Sequence, residues 1–215
     1  MLVSEIATRV KRQFGDEAGA QITDADIIRW INDAQVDVAI NNNLLQVAAT
    51  TAVIVGQQKY TYPADLLTLR SIRYKGNKLT GYSMEEAEAM IAADSVSSGT
   101  PSIFWTYARQ FYIWPVPDTA GSADLTVYYT RQPDVLTATT ETPELPLQYH
   151  ARLVEYCIAQ AAELDDNLQQ FQIKMNQFKQ GIDGLKDNGD WEERDEYPYI
   201  TAAPRDYGDF TETVI

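Results

Sequence analysis

An apolar seam with a constant spacing runs through the last third of this chain. Its members recur every three or four residues from His150 to Leu185, which places them on one face of a helix over several heptads. The seam consists of His150, Val154, Cys157, Ala161, Leu164, Leu168, Phe171, Met175, Phe178, Ile182 and Leu185. Such a face must be covered by other apolar surface, so the seam predicts a C-terminal helix packed against further helices.

Four polar residues, Glu163, Asp165, Asp166 and Asn167, leave open whether this helix is one piece or two. Asp and Asn there are poor residues for a helix interior. The seam nevertheless stays in phase across the run, which favours one helix or a gentle kink. A continuous helix of about forty residues would span roughly 60 Å.

Two N-terminal helices are the expected partners of the seam. The first covers about 3–14, and the second opens at Thr23, where Asp26 completes a capping box, and ends at the asparagine run 41–43. Neither helix can bury its apolar stripe alone, so we expect both to pack on the C-terminal seam.

Between the helices the apolar period changes to two, which predicts strands. The segments 46–55 and 59–62 read as a hairpin about Gly56, and Ser83 with Glu86 caps a short helix to about Ala92. Further strands are predicted at 70–74, 103–107, 111–114 and 125–130, with a second hairpin turning at 108–110. Neighbouring aromatic residues in these strands point to opposite faces, so one of each pair must leave the sheet's own core. The pairs are Phe104 and Trp105, Phe111 and Tyr112, and Tyr128 and Tyr129.

The fold class predicted from these elements is α+β. The expected architecture is a helical bundle built from N- and C-terminal helices, with an inserted small antiparallel β module and an extended C-terminal tail. The expected division is 1–45 for the N-terminal helices, 46–135 for the β module, 136–186 for the long helix or helix pair, and 187–215 for the tail.

The tail combines strong negative charge with large apolar side chains. Residues 187–215 hold nine acids and two bases, and Pro198 and Pro204 favour extended structure. A purely solvating tail does not need aromatic residues. Two interpretations remain open: an arm that docks on a neighbouring or partner subunit, or a strap along its own domain. The candidate partner-binding anchors are Trp191, Tyr197, Tyr199, Tyr207, Phe210 and Ile215.

Composition excludes several classes of protein. A net charge of -14 is unsuited to gripping DNA through a basic footprint. The sequence contains no run of about 18 apolar residues, so it predicts no membrane span, and the start of the chain does not read as a signal peptide. A single cysteine, Cys157, excludes an internal disulfide and a cysteine-rich zinc site, which favours a protein made in a reducing cytoplasm.

Candidate catalytic groups are few. His150 and Cys157 lie seven residues apart on one predicted helix, about 10 Å along its axis, so they cannot form an activated pair. Carboxylates could instead serve a glycan-degrading tail enzyme, which is the alternative function. Those candidates are Glu85, Glu86, Glu88, Asp165, Asp166, Glu192 and Glu193, all expected on solvated faces or in the tail. We therefore expect no enzyme and no catalytic, cofactor-binding or metal site.

The order and spacing of seven short motifs carry a family resemblance over nearly all of residues 20–185. The motifs are 30–35 (WINDAQ), 60–65 (YTYPAD), 70–79 (RSIRYKGNKL), 99–105 (GTPSIFW), 111–117 (FYIWPVP), 125–129 (LTVYY) and 143–146 (PELP). In this respect the chain resembles the phage head-to-tail adaptor (connector) proteins, including the podovirus tail tubular protein A or gatekeeper type.

The resemblance implies a structural virion protein at the head–tail junction, assembled in the host cytoplasm. It implies a homo-oligomeric ring, usually of twelve copies, whose helices dock under the portal protein. The tails would reach the portal or neighbouring adaptor subunits, and the β modules would face the next tail component, a nozzle or tail tube. DNA would pass through the ring during ejection without sequence-specific binding.

Overall fold

The structure is a computed structural model that describes residues 1–93 and 97–189, with the backbone alone from residue 186. It is mixed helix and sheet, which confirms the predicted α+β class. The helices of this part of the chain are α1 Val3–Phe14, α2 Asp24–Asn41, α3 Met84–Ala93, α4 His150–Leu164 and α5 Leu168–Gly189. Its strands are β1 Gln46–Val53, β2 Lys59–Thr61, β3 Leu66–Tyr74, β4 Asn77–Lys78, β5 Thr80–Gly81, β6 Ser98–Gly99, β7 Ile103–Tyr107, β8 Gln110–Trp114, β9 Val116–Pro117 and β10 Gly121–Arg131.

Helices α1, α2, α4 and α5 share one apolar core. Ile6 of α1, Ile31 of α2, Leu153 of α4 and Ile182 of α5 are all buried in it. Helix α2 starts as predicted, because the Thr23 hydroxyl accepts the backbone N–H of its third residue. The N-terminal helices therefore bury their stripes against the C-terminal ones.

The sequence left open whether the C-terminal seam forms one helix or two, and the structure shows two. Helix α4 ends at Leu164, Asp166 has a left-handed φ of 53°, and the Asn167 side chain caps α5 by accepting the backbone N–H of Gln170 at 3.1 Å. Helix α5 then runs back along α4, so the roughly 60 Å rod is replaced by a helical hairpin. An in-phase seam is compatible with both forms, since each half of the hairpin needs an apolar face of its own.

Two stacked four-stranded sheets and the two-stranded sheet β6-β9 make up the described strand region. The first has the order β1-β10-β3-β4 and the second the order β2-β8-β7-β5. Ile72 and Val127 of the first sheet share one core with Tyr60, Phe111 and Ile113 of the second. The pairing is antiparallel except for the short parallel pairs β5–β7 and β6–β9.

The predicted hairpin of 46–55 with 59–62 is also wrong. Strand β1 pairs with β10, at the far end of the strand region in sequence, and β2 pairs with β8 in the other sheet. The turn at Gly56 therefore carries the chain from one sheet to the other. The hairpin of β7 and β8 is confirmed, and its turn residues Ala108 and Arg109 both have positive φ, at 50° and 58°, as a two-residue hairpin turn requires.

The split of aromatic pairs between two faces is confirmed. Phe111 lies in the core between the sheets, whereas Tyr112 stacks on Trp105 at a centroid distance of 5.4 Å, outside that core. Tyr129 is buried, whereas its neighbour Tyr128 is 37% exposed. The first sheet therefore presents an aromatic side chain to solvent.

Candidate partner-binding surfaces

The tail anchors predicted from the sequence lie outside the residues that the structure describes. These are Trp191, Tyr197, Tyr199, Tyr207, Phe210 and Ile215. What the structure does describe is the helix that leads to them. The Asn42 side-chain amide donates to both the Tyr149 hydroxyl and the Ile182 carbonyl, each at 3.0 Å. The last turns of α5 therefore lie beside the end of α2, where the chain leaves the helices and enters β1.

The tip of the α4–α5 hairpin exposes the middle of the apolar seam. Leu164 and Leu168 are 64% and 66% exposed, while seam residues on either side, such as Cys157 and Phe178, are buried. Fifteen residues of α4 place this tip about 22 Å from the end of the helices that adjoins the strands. Two exposed leucines at the ends of one short turn are a candidate contact for another protein.

The linker between the strands and α4 is held by the first motif of the family resemblance. The Asn32 side chain donates to the Leu136 carbonyl at 3.0 Å and accepts the Leu136 N–H at 2.9 Å. The Gln35 side chain accepts the N–H of Glu144 at 3.1 Å, and Glu144 forms an ion pair with Arg131 at 2.6 Å. These contacts position the strand region relative to the helices, which explains why amides stand at these two places in α2.

A basic surface occurs within this acidic chain. The β3–β4 hairpin carries Arg70, Arg73, Lys75 and Lys78 with no acid among residues 70–78, and Lys75 forms an ion pair with Asp124 of β10 at 3.6 Å. The Arg73 guanidinium lies 5.1 Å from the centre of the exposed Tyr128 ring, a cation–π geometry. This surface was not identified from the sequence. The four bases close together at 70–78 were the signal that could have revealed it.

The only histidine and the only cysteine of the chain are engaged in packing. His150 Nε2 donates to the Leu145 carbonyl at 2.8 Å, and His150 Nδ1 accepts from the Met1 amine at 2.9 Å. Burial lowers the pKa of His150, so the imidazole is neutral and both of its nitrogens are used. Cys157 is fully buried, and burial raises the pKa of its thiol far above the range of a reactive cysteine.

The candidate carboxylates are not brought together across a cleft. Glu85, Glu86 and Glu88 lie on one short helix, α3. The Glu86 carboxylate accepts hydrogen bonds from the N–H and the hydroxyl of Ser83, the residue that caps the start of α3. Asp165 and Asp166 lie in the hairpin turn, and Glu192 and Glu193 fall outside the described residues. Within residues 1–93 and 97–189, no group of three or more His, Cys, Asp and Glu side chains is arranged to hold a metal ion. Nor does that part of the chain contain a helix with the length and apolarity of a membrane span.

The model of the SU10 adaptor protein family matches residues 1–203, and no curated protein matches the chain. The match confirms the resemblance to phage head-to-tail adaptors that the seven motifs indicated. Because the match covers nearly the whole chain, this protein belongs to the SU10 adaptor protein family, whose role in the phage particle is structural.

Proposed function

We propose that this protein forms a ring, docked under the portal, that joins the phage capsid to its tail and lines the channel for DNA ejection. The observation that carries the proposal is the match of the adaptor family model to residues 1–203. A ring of twelve copies is the form expected from the family resemblance. The proposal assigns no catalytic step to the chain.

The helical part is proposed to face the portal, and the strand region to face the next tail component, a nozzle or tail tube. This assignment is supported by the separation of the two contact regions. Leu164 and Leu168 are exposed at the hairpin tip, whereas Arg73 and Tyr128 lie on the first sheet beyond the other end of α4. Helices 1–45 and 136–186, the β module 46–135 and the tail 187–215 would then each have a separate role in assembly.

The tail is proposed to act as an arm that grips the portal or a neighbouring copy. Its support is compositional, since residues 187–215 combine nine acids with five aromatic side chains. Aromatic side chains are the commonest anchors of protein interfaces. The net charge of -14 supports passage of DNA without binding, because an anionic lumen repels phosphate groups.

The proposal is tested by mixing the purified chain with the portal rings of its own phage and weighing single particles by mass photometry. We expect each ring to gain several times 24.2 kDa, the mass of one chain. A double variant, Leu164→Asp with Leu168→Asp, should weaken this binding by at least about tenfold, because each leucine contributes about 1.5–3 kcal/mol on burial.

The matched control places the same two changes at the other exposed apolar pair, Ile54→Asp with Val55→Asp in the β1–β2 turn. Both residues are 56% exposed, so neither double variant should unfold the chain. The control should bind portal rings like the unaltered protein. Rings that gain no mass from the unaltered chain would refute the proposed function.

A further inference from the structure

A groove opens between the two sheets at the start of β3. It has a volume of about 640 Å³. One wall is the first part of β3, and the other is the turn between β7 and β8. Residues that line it include Tyr62, Leu66, Leu67, Leu69, Tyr107 and Arg109. None of the described residues fills it, and its walls present apolar and polar surface in about equal parts.

The same groove runs along an open strand edge. Strand β3 pairs with β10 on one side along its whole length, but on its other side β4 pairs only with Arg73 and Tyr74. Within the described chain, no strand pairs with this second side of residues 66–71. An open edge presents backbone N–H and C=O groups at alternate residues, and an extended peptide can add to it as a further strand.

The polar groups at the groove are also incompletely used. The Tyr62 hydroxyl is buried without a hydrogen-bond partner, and burial raises the pKa of Tyr62 to about 12. Tyr107 is 58% exposed on the opposite wall. Arg109 is exposed at the rim, and Arg70 lies on the open strand itself. The groove therefore suits an extended segment that carries apolar or aromatic side chains and negative charge.

Residues 190–215 of this chain have those properties. They contain eight acids and two bases, five aromatic residues and two prolines. We propose that this segment, supplied by a second copy of the chain, docks in the groove as an added strand beside β3 and inserts aromatic side chains between Leu66 and Tyr107. The inference rests on the tail arm of the proposed function and names the site that receives it.

The length of the segment favours a second copy over the segment's own groove. Twenty-six residues can extend to about 85 Å. A folded body of the size described here is only about 40 Å across. The last turns of α5 already lie beside the start of β1, so a strap to the same chain's strands would need a small part of that reach.

The test uses the full chain in rings assembled on portal, with the photo-cross-linker benzoylphenylalanine at position 107. The rings contain equal amounts of ¹⁴N- and ¹⁵N-labelled chains, so mass spectrometry separates cross-links between copies from those within one copy. We expect position 107 to cross-link to peptides of 190–215 in mixed-label pairs. The control carries the same replacement at Tyr128, an exposed tyrosine of the first sheet, and should give few or none.

A charge reversal adds an independent check. Arg109→Glu should lower the cross-linking yield about threefold, the scale of one exposed ion pair. Lys59→Glu, the same change on an exposed residue of β2 away from the groove, should leave the yield unchanged. Cross-links at position 107 that join other segments, or that form only within one copy, would overturn the inference.

The two proposals can fail separately. If the chain adds to portal rings but position 107 does not reach 190–215, the groove assignment is wrong and the adaptor role stands. If mass photometry shows that the chain adds no mass to portal rings, the adaptor role is wrong. In that case the cross-linking is measured on oligomers that the chain forms in solution without portal. Absence of cross-links between copies in those oligomers also overturns the groove assignment.

Discussion

The rings of Tyr156 and Phe178 pack with their centroids 5.0 Å apart, one on α4 and the other on α5. They stand on opposite sides of the turn at Asp165 and Asp166, so their contact requires that the two helices run antiparallel. The apolar seam of the sequence therefore forms a helical hairpin and not a single long helix. This hairpin also brings the end of α5, where the tail begins, back to the strands.

The turn of this hairpin predicts the effect of a glycine substitution. Asp166 has a φ of 53°, a conformation that glycine adopts without steric cost, so Asp166→Gly should change the free energy of unfolding by less than about 0.5 kcal/mol. Gln172→Gly, inside α5, should cost about 1 kcal/mol. Urea unfolding followed by circular dichroism measures both, and equal losses would indicate a continuous helix through 166.

The amide of Asn32 should be important for stability. Asn32→Ala removes both hydrogen bonds to Leu136 and leaves that backbone without partners, at a cost of about 1–3 kcal/mol in the free energy of unfolding. Asn176→Ala, at an exposed position of α5, should change it by less than about 0.5 kcal/mol. Chemical denaturation of the two variants side by side tests this, and equal stabilities would contradict it.

Local features were predictable from the sequence, and distant pairings were not. The capping boxes at Thr23 and Ser83 and the burial of Val154 and Phe178 follow from neighbouring residues or from period alone. The pairing of β1 with β10 depends on which distant strands share a sheet, and alternation does not encode that. The break between α4 and α5 was visible in the sequence only as four polar residues, because an apolar repeat of three and four stays in phase whether the helix continues or reverses.

For the candidate surfaces too, the sequence predicted local properties but not which distant residues lie together. The seam pattern marked Leu164 and Leu168 as apolar, but only the reversal of the chain exposes them. The groove beside β3 is formed by Leu66 and Tyr107, which lie in different sheets, so no local pattern could place them together. Family motifs carried the functional prediction further than any single site did.

His150 should make the free energy of unfolding decrease as the pH falls below about 6.5. Its pKa in the folded protein lies below the ordinary 6.5, so the unfolded chain binds a proton first as the pH falls. The stabilisation is complete above about 6.5 and is lost as the pH falls from there towards the folded-state pKa. His150→Gln should flatten this part of the profile, as measured by urea unfolding at several pH values.

Asp16 does not interfere in that window. Hydrogen bonds from the backbone of residues 20–22 hold the pKa of Asp16 below its ordinary 3.8, and the contribution of that carboxylate is lost only at lower pH. As the chain has a single histidine, the difference between the two profiles reports the loss of the His150 imidazole together with its hydrogen bond from the Met1 amine. Profiles of equal slope would show that burial of this imidazole does not favour its neutral form.

Removal of the tail should separate folding from assembly. A chain that ends at Gly189 keeps every core residue of the helices and sheets, so its circular dichroism and thermal midpoint should match those of the full chain. Its ring formation should weaken, because the proposed anchors Trp191 to Ile215 are lost. Sedimentation velocity compares the two chains, and normal assembly by the shortened chain would contradict the arm.

The central claim is that this protein acts by being held between other subunits. Cryo-electron microscopy of the phage head–tail junction tests it most directly. We predict a ring directly below the portal into which the α4–α5 hairpin fits towards the portal and the two stacked sheets fit towards the tail. A junction with no density of this shape would contradict the account.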